Sequence, residues 1–532
     1  MTDSQPPNSA PRRLGARELI ERTLDPGSWK SWDEPAIDIG PIDDDYAAAL
    51  AAAREQTGLD ESLITGEGTL GGRTVALIVG DFGFLAGSIG VAAAERFVLA
   101  AERARRLRLP LIASPSSGGT RMQEGTVAFL QMVKIAAAVA AHRAAGLPYL
   151  VYLRHPTTGG VLASWGMLGH VSAAEPGALL GFLGPRVYAA LHGEPFPEGV
   201  QTAENLFRHG LIDAVVGPED LRRIAIDALD ILTRAASPTT TPQPPQPPRS
   251  PQSPQSPRTS PDDDQSVTDP DDLPDVPAWE SITRSRRLHR PGIRGLLRVA
   301  ARTVVPLNGT GQGERDPGIL LALARFGEAG CVVLGQDRRG AQTPMGPAGL
   351  REARRGMRLA AELGLPLVSV IDTAGAALTR EAEEGGLAAE IARSLADLAT
   401  LPAPTLCLLL GQGAGGIALA LLPADRVLAA QHAWLCPLPP EGASVIVHRT
   451  TDRAPELAAA QGVRSADLLR NGIVDRVVRE LPDAADEPEA FLRRVGAVLE
   501  HELLAVLALD PERRLETRLA RYRNLGIPRG ST

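Results

Sequence analysis

The strongest constraint on the fold is an internal repeat, because two copies of one sequence pattern must build two similar domains. Three markers recur at a constant offset of 256 residues: Leu-Pro-Leu at 109–111 and 365–367, a proline at 148 and 404, and a glycine pair at 159–160 and 415–416. Farther along, AENLFRHGLIDAVV (203–216) matches SADLLRNGIVDRVV (465–478) at an offset of 262. The sequence therefore predicts two copies of one domain, with equivalent loops after corresponding strands.

Each copy alternates short aliphatic runs with longer helical stretches. The runs VALIV (75–79), LPLIAS (109–114) and PYLVYL (148–153) are typical of buried strands. The Ala- and Arg-rich stretch from Val91 to Arg108 is typical of a helix. This alternation predicts an α/β fold.

The two copies are separated by residues 237–277, which are rich in Pro, Ser and Gln and then acidic. Almost no apolar side chain is available there for burial, so we expect an extended, disordered tether. The first domain then spans residues 1–236 and the second spans residues 278–532. The PQPPQPP run could also form a polyproline docking ligand, but a plain linker is the favoured interpretation.

Composition limits the classes of partner and compartment. The formal net charge is −8, so no overall basic field attracts nucleic acid. Cys331, Cys407 and Cys436 form no CxxC pair, which argues against a disulfide framework or a zinc ribbon and fits a reducing cytoplasm. The N-terminus has no apolar stretch of the kind found in a secretory signal.

One uncharged run, from Leu398 to Ala424, is long enough to span a bilayer. Pro402, Pro404 and the glycine cluster at 411–416 would interrupt a helix there repeatedly. We therefore expect a strand, a loop and a helix in this run, and no membrane contact.

In the first copy, two strand-to-helix junctions carry glycine pairs. The strand at 109–114 leads into SPSSGGTRMQEG, and the strand at 148–153 leads into a segment containing Gly159-Gly160. Such junctions present unpaired backbone N–H groups at a helix N-terminus, and glycine lets a ligand oxygen approach them closely. Gly118-Gly119 and Gly159-Gly160 are therefore candidates for an oxyanion hole.

The second copy repeats this arrangement as IDTAGAALTREAEEGG (371–386) and LGQGAGGIALALL (410–422). It predicts a second oxyanion hole from Gly375 with Gly415 and Gly416. A single glycine pair beside a strand more often makes a turn or permits close packing, but four loops in register are stronger evidence.

No side chains have the spacing of a nucleophile with its base, and no metal-ligand spacing occurs in the sequence. Thr120, Arg121 and Arg186 lie near the glycine loops and are candidates for binding substrate. For the two arginines, a contact with a phosphate or carboxylate and an ordinary structural ion pair are equally favoured.

At these loops the sequence closely resembles the carboxyltransferase component of acetyl-CoA carboxylase, in the actinobacterial type in which the beta and alpha subunits are joined. The beta-like motifs are residues 57–90, SGGTRMQEG (117–125), HPTTGGVLASW (155–165) and GALLGFLGPRV (177–187). The alpha-like motifs are AWESITRSR (278–286), GPAGLREARRGMRLA (346–360), IDTAGA (371–376), GQGAGGIALAL (411–421) and PLPPEGASVI (437–446).

The resemblance implies tandem crotonase-like ββα-superhelix domains, with the active site between a beta-type and an alpha-type domain, commonly of different protomers. Acyl-CoA would bind mainly on the beta-like domain. Carboxybiotin, carried by a separate carrier protein and formed by a separate biotin carboxylase, would enter from the alpha-like domain. A homo-oligomer follows, with a dimer of fused chains favoured.

By the same resemblance, Gly118, Gly119, Gly159 and Gly160 would serve the enolate oxygen of the acetyl thioester. Gly375, Gly415 and Gly416 would serve the ureido oxygen of biotin. The decarboxylated biotin nitrogen can take the proton from the acyl carbon, so this chemistry needs no side-chain base. The expected product is malonyl-CoA for fatty-acid synthesis.

Two departures from the family pattern stand out. Residues 1–60 contain no cysteine, so no structural zinc is expected. Ile417 stands where alpha subunits usually have glycine and could crowd the approach of biotin, and TAGAAL lacks the usual proline and tyrosine. Three alternatives stay open: a carboxyltransferase for another acyl-CoA, a biotin-independent malonate decarboxylase, and a weakly active scaffold subunit.

Overall fold

The computed structural model describes residues 14–234, 265–338 and 344–527, and of Arg186 and Arg234 it describes the backbone alone. Residues 235–264 lie outside the described part of the chain, and they include most of the expected tether, residues 237–264. The remaining residues, 265–277, differ from the expected tether. Val267 is buried, and Ser266–Val267 forms a strand that pairs antiparallel with Val477 and Val478. Two hydrogen-bonded residues and one apolar side chain thus hold this end against the second half.

The first half is a seven-stranded sheet covered by helices. Its strands are β1 (Lys30–Ser31), β2 (Leu63–Leu70), β3 (Arg73–Gly80), β4 (Leu111–Ser114), β5 (Tyr149–Leu153), β6 (Thr157–Thr158), β7 (Val171–Ala174), β8 (Leu180–Gly181) and β9 (Ala214–Val215). Its helices are α1 (Ala16–Thr23), α2 (Asp44–Thr57), α3 (Val91–Arg106), α4 (Gly125–Ala144), α5 (Gly159–Leu162), α6 (Pro185–His192), α7 (Ala203–Arg208) and α8 (Pro218–Arg234). The sheet order is β1-β2-β3-β4-β5-β7-β9, and β6 pairs separately with β8.

The second half has a nine-stranded sheet. Its strands are β10 (Ser266–Val267), β11 (Thr303–Leu307), β12 (Ile319–Phe326), β13 (Ala329–Gln336), β14 (Leu367–Thr373), β15 (Thr405–Ala414), β16 (Arg426–Ala430), β17 (Trp434–Cys436) and β18 (Arg476–Val478). Its helices are α9 (Ala278–Ser285), α10 (Ile293–Ala300), α11 (Pro347–Leu363), α12 (Arg380–Glu384), α13 (Leu387–Ala399), α14 (Gly415–Leu419), α15 (Pro440–His448), α16 (Ala454–Ala460), α17 (Ser465–Arg470), α18 (Pro488–Leu507) and α19 (Pro511–Arg523).

The strand order shows that the two halves are copies of one unit. In the first sheet β2-β3-β4-β5-β7-β9 are neighbours, and in the second β12-β13-β14-β15-β16-β18 follow the same order. In each sheet the first pair is an antiparallel hairpin and the later pairs are parallel. The predicted α/β class and internal duplication are therefore confirmed.

The central parallel strands are buried on both faces, as expected for strands covered by helices. Every residue of β14 and β15 is buried, and both strands are apolar over most of their length. The run from Leu398 to Ala424 therefore contains the end of α13, the whole of β15 and α14, as predicted. Carboxyl ends of parallel strands meet at one sheet edge, which brings the glycine loops together.

Helices α4 and α13 pack against each other and join the two halves. Helix α4 is apolar on nearly all sides, because it lies between α3 of its own half and α13 of the other. Met122–Ala144 is long and apolar enough to cross a membrane, yet 72% of its most apolar stretch is buried inside the protein. Among the described residues it is the one helix with such a length and composition.

Candidate active site

The two glycine loops of the first half meet directly. The Ser117 N–H donates to the Pro156 carbonyl at 2.7 Å, and the Thr158 N–H donates to the Ser117 carbonyl at 2.9 Å. Gly119 (φ +111°) and Gly159 (φ +63°) have backbone conformations that side chains rarely allow. A Cβ on Gly119 would lie 3.4 Å from the Gly159 Cα, so the two backbones pack without side chains between them.

Most of the predicted donors in this half are already used within the loops. The Gly118 N–H donates to the Ala86 carbonyl at 2.8 Å, the Gly119 N–H to Ser117 Oγ at 3.0 Å, and the Gly159 N–H to the Phe182 carbonyl at 3.1 Å. Gly160 is the second residue of α5, so its N–H has no intrahelical acceptor. That N–H forms no hydrogen bond within the described structure, and it is the open donor of the predicted set.

The second half repeats this pattern. The Gly375 N–H donates to Thr373 Oγ1 at 3.1 Å, as the Gly119 N–H does to the equivalent serine, and Gly375 again has a positive φ of +134°. Gly415 (φ +73°) begins α14, and Gly416 is the second residue of that short helix. The Gly416 N–H is likewise unpaired among the residues described here. Each half thus presents an open donor at the second residue of its short helix, and in the second half the Gly415 N–H is also unpaired among the described residues.

A cavity of about 430 Å³ lies between the two halves and contains both open donors. It takes in Gly118, Gly119, Thr120, Gly159, Gly160 and Gly416, whereas Gly375 and Gly415 lie outside its lining. Its further lining is mainly apolar: Leu85, Ala86, Met122, Phe129, Met132, Ala163, Phe182, Leu183, Val187, Ile391, Leu419, Pro437, Leu438, Ile446 and Val447. The resemblance implies an active site between a beta-type and an alpha-type domain, commonly of different protomers, and this cavity lies between the beta-like and alpha-like halves of one chain.

The described side chains that line this cavity include no charged group and no histidine. Its polar side chains are Ser88, Thr120, Gln123 and Thr158. Apolar surroundings strengthen hydrogen bonds to developing negative charge, because a low local dielectric screens them less than water does. The arrangement is therefore suited to stabilising oxyanions, and it offers no side-chain general base.

Arg121, predicted as a substrate-binding candidate, is enclosed by its own chain. Its guanidinium contacts both carboxylate oxygens of Glu61, at 2.6 and 2.8 Å, and donates to the Ser88 carbonyl at 2.7 Å. The side chain is 1% exposed. These contacts raise the pKa of Arg121 although burial opposes its charge. For Arg121 the geometry favours the structural ion pair with Glu61. The side chain of Arg186, the other candidate, lies outside the described part of the structure.

Ile417, which was expected to crowd the site, points into the core. Its side chain is fully buried and is not part of the cavity lining. Its carbonyl accepts a 3.0 Å hydrogen bond from Gln336 Nε2, which holds the first turn of α14 against β13. The Ile417 side chain therefore packs in the core and does not narrow the cavity.

Hydrogen bonds between the halves flank the cavity, and the sequence did not predict them. On one side the Gln461 carbonyl accepts from the Thr126 N–H at 3.2 Å and from Thr126 Oγ1 at 3.1 Å, while Gln461 Nε2 donates to the Met122 carbonyl. Gly125 permits this approach, since a Cβ there would lie 2.7 Å from the Gln461 carbonyl oxygen. On the other side, Glu383 of α12 accepts from the Phe182 N–H.

Two glycine-walled candidate oxyanion sites on a duplicated α/β scaffold, with no charged or histidine side chain among the described cavity lining, are compatible with an acyl- or carboxyl-transfer protein. Comparison with known proteins makes the class specific. The carboxyl transferase domain family matches residues 8–513, and the chain belongs to that family.

Curated relatives cover nearly the whole chain. The probable biotin-dependent acyl-coenzyme A carboxylase beta3 subunit of Mycobacterium tuberculosis is 59% identical over 519 residues, which are 97% of this chain and 99% of that protein. The acetyl-coenzyme A carboxylase carboxyl transferase subunits beta/alpha of Salinispora arenicola are 38% identical over 549 residues, 99% and 93% of the two chains. The protein is thus similar to biotin-dependent acyl-CoA carboxylase subunits.

Solved structures of the same class also match. The transcarboxylase 12S hexamer assembly is 20% identical and covers 92% of this chain and 89% of that one, with a TM-score of 0.35. The beta subunit of geranyl-CoA carboxylase from Pseudomonas aeruginosa is 16% identical over 94% and 88%, with a TM-score of 0.34. The predicted fold of tandem crotonase-like domains is confirmed by the family match and by the strand order that the two sheets share.

Proposed function

We propose that this chain transfers the carboxyl group of carboxybiotin, held on a separate carrier protein, to acetyl-CoA to give malonyl-CoA. One observation carries the proposal: Gly160 and Gly416, one from each half, both line the same cavity, and neither N–H has an acceptor among the described residues. Hydrogen-bond donors at both carbonyl oxygens favour a transfer between two carbonyl compounds, and each half of the duplicated fold offers one candidate.

In the first half, the Gly160 N–H donates to the thioester oxygen. Loss of a proton from the acyl α-carbon shifts negative charge onto that oxygen, and a fixed donor stabilises the charge in the transition state more than in the ground state. Gly119 and Gly159 contribute by letting the two loops pack backbone to backbone, because a Cβ on either residue would lie 3.3 to 3.4 Å from the Cα of the other.

The residues present fit a biotin ureido group in the second half. Gly416 offers one N–H at a helix start, and its missing side chain leaves a cradle beside Phe182 and Ile391. When bound, carboxybiotin supplies the carboxyl group and, after giving it up, a basic nitrogen. No charged side chain among those described lines the cavity. The role of the chain is therefore to bind and orient the two substrates and to exclude water from them.

Acetyl-CoA is the acyl substrate we propose, supported by the names of the relatives that are joined beta/alpha subunits of acetyl-CoA carboxylase. The more similar mycobacterial relatives are named only for an acyl-coenzyme A, so propionyl- and longer acyl-CoA are the competing substrates. We further propose a biotin carboxylase and a biotin carrier protein as partners, a cytoplasmic location, a homo-oligomer and the absence of structural zinc.

The test is the reverse reaction, since it needs no partner subunit. Purified chain is mixed with malonyl-CoA and free biocytin, and acetyl-CoA formation is followed, with methylmalonyl-CoA in parallel. Biocytin-dependent release of acetyl-CoA is expected. Release of acetyl-CoA without biocytin would indicate a malonate decarboxylase. A preference for methylmalonyl-CoA would indicate that propionyl-CoA, and not acetyl-CoA, is the acyl substrate. No release from folded protein would indicate a scaffold subunit.

A further inference from the structure

Phe182 contacts both candidate oxyanion sites at once. Its carbonyl accepts the Gly159 N–H at 3.1 Å, so its backbone fixes the loop that carries Gly160. Its ring lies against the other site, because a Cβ on Gly416 would be 3.1 Å from Phe182 Cε2. Phe182 thus links the loop that carries Gly160 to the site that contains Gly416.

The backbone of Phe182 is in turn held by a residue of the other half. The Phe182 N–H donates to both oxygens of Glu383, at 2.8 and 3.2 Å. Gln201 Nε2 donates to Glu383 Oε1 at 2.7 Å and also to the Leu183 carbonyl at 2.8 Å. Glu383 therefore holds residues 182–183 in place through two neutral donors, the Phe182 N–H directly and Gln201 Nε2 as a bridge to the Leu183 carbonyl.

Burying the Glu383 carboxylate in this way lowers the stability of the folded state. Glu383 is 8% exposed, and the partners described for its carboxylate are amide donors without any cation. Burying a carboxylate without an opposite charge is unfavourable, and the desolvation raises the pKa of Glu383. A neutral side chain of similar size would avoid that cost, which points to a role in geometry.

We infer that Glu383 is a positioning residue, which acts through Phe182 to set the distance between the Gly160 and Gly416 donors. This inference rests on the proposed carboxyltransferase function. Glu383 lies on α12, which follows Gly375 in the alpha-like half. A residue of the alpha-like half therefore aligns the Gly160 donor of the beta-like half. Formation of the reactive arrangement is then coupled to correct contact between the halves.

The neighbouring Glu384 provides a matched control. It lies on the same helix and also bonds the first half, accepting from Asn205 Nδ2 at 3.0 Å, but it touches neither Phe182 nor the cavity lining. It also pairs with Arg380 at 3.1 Å. Substituting Glu384 therefore removes a carboxylate from α12 while the hydrogen bond between Glu383 and Phe182 stays intact.

The experiment compares E383A, E383Q and E384Q in the biocytin-dependent reverse reaction. We expect E383A to lower kcat by about 10- to 100-fold, since misplacing a reacting group by about 1 Å costs this much, with KM for malonyl-CoA within about twofold. E383Q keeps an oxygen acceptor for the Phe182 N–H and should recover most of the loss. E384Q should stay within about twofold of the unaltered chain.

Amide hydrogen exchange provides a readout that does not depend on activity. E383A should speed exchange in peptides covering residues 157–162 and 181–184, and E384Q should not. Equal kcat and equal exchange in E383A and E384Q would overturn the inference while leaving the function intact. Equal losses in E383A and E383Q would overturn positioning through the hydrogen bond. An inactive unaltered chain would instead refute the proposed function, with exchange still testing the contact.

Discussion

Replacing Gly160 by proline tests the open donor of the first half directly. Proline removes the N–H, which in this structure is not part of any described hydrogen bond, and the first turn of a helix tolerates its ring. The helix should therefore persist while the donor is lost. Removing a single oxyanion donor costs about 2.7–4 kcal/mol of transition-state stabilisation, so kcat should fall by about 100- to 1000-fold.

Gly160→Ala is the matched control, because it adds a Cβ and keeps the N–H. That Cβ would lie 2.9 Å from Thr120 Oγ1, so the threonine side chain must move by a few tenths of an ångström. Placing both substitutions in a Thr120→Ala background removes the clash. The assay is the initial rate of acetyl-CoA release from malonyl-CoA at saturating biocytin. Equal kcat values for the proline and alanine variants would refute the role of this N–H.

Three further predictions concern stability. Gly125→Ala should lower the midpoint of thermal unfolding more than Gly146→Ala, because both have positive φ but only Gly125 has backbone of the other half at 2.7 Å; equal shifts would contradict the contact between halves. Glu61→Gln should cost up to about 3–5 kcal/mol in denaturant unfolding, because Arg121 loses its two-point partner and keeps only the Glu124 carboxylate, 3.5 Å from Nη1; a cost below about 1 kcal/mol would contradict the ion-pair assignment. Burial raises the pKa of Glu383 above its ordinary value of 4.5, so the folded state binds its proton more tightly. The unfolding free energy of the unaltered chain relative to E383Q should therefore fall as pH rises above about 4.5, and a rise would contradict this sign.

The sequence predicted the fold well because duplication leaves a register that can be counted. The constant offset placed Gly159 and Gly415 at equivalent positions, and the structure has both as the first residue of a short helix after a buried strand. Glycine-rich junctions of this kind depend on local backbone geometry, so neighbouring residues in the chain carry the signal.

Contacts between the halves could not be predicted in this way. Glu383 lies in the run EAEEGG, which has the composition of a solvated helix end, yet it is buried against a residue about 200 positions earlier. Arg121 lies inside a glycine motif, and only the fold shows that Glu61 neutralises it. Such pairings depend on how the two sheets pack, and periodicity within one segment does not encode that.

The glycine motifs also gave more donors than the structure leaves open. Sequence alone cannot tell a glycine that donates to a ligand from one that donates within its loop. The Ser117 hydroxyl accepts from Gly119, and the Thr373 hydroxyl accepts from Gly375. A Ser or Thr two residues before the glycine in both copies is a signal that could have been noticed, since such hydroxyls commonly accept from nearby backbone N–H groups.

The central claim is that the carboxyl group passes between two substrates held in one cavity. The most direct measurement follows the label from malonyl-CoA carrying ¹⁴C in its free carboxyl group, in the presence of biocytin. The account predicts that label appears on biocytin in proportion to acetyl-CoA formed, and that neither product forms when biocytin is omitted. Acetyl-CoA formation with all of the label released as CO₂, at the same rate with and without biocytin, would contradict it.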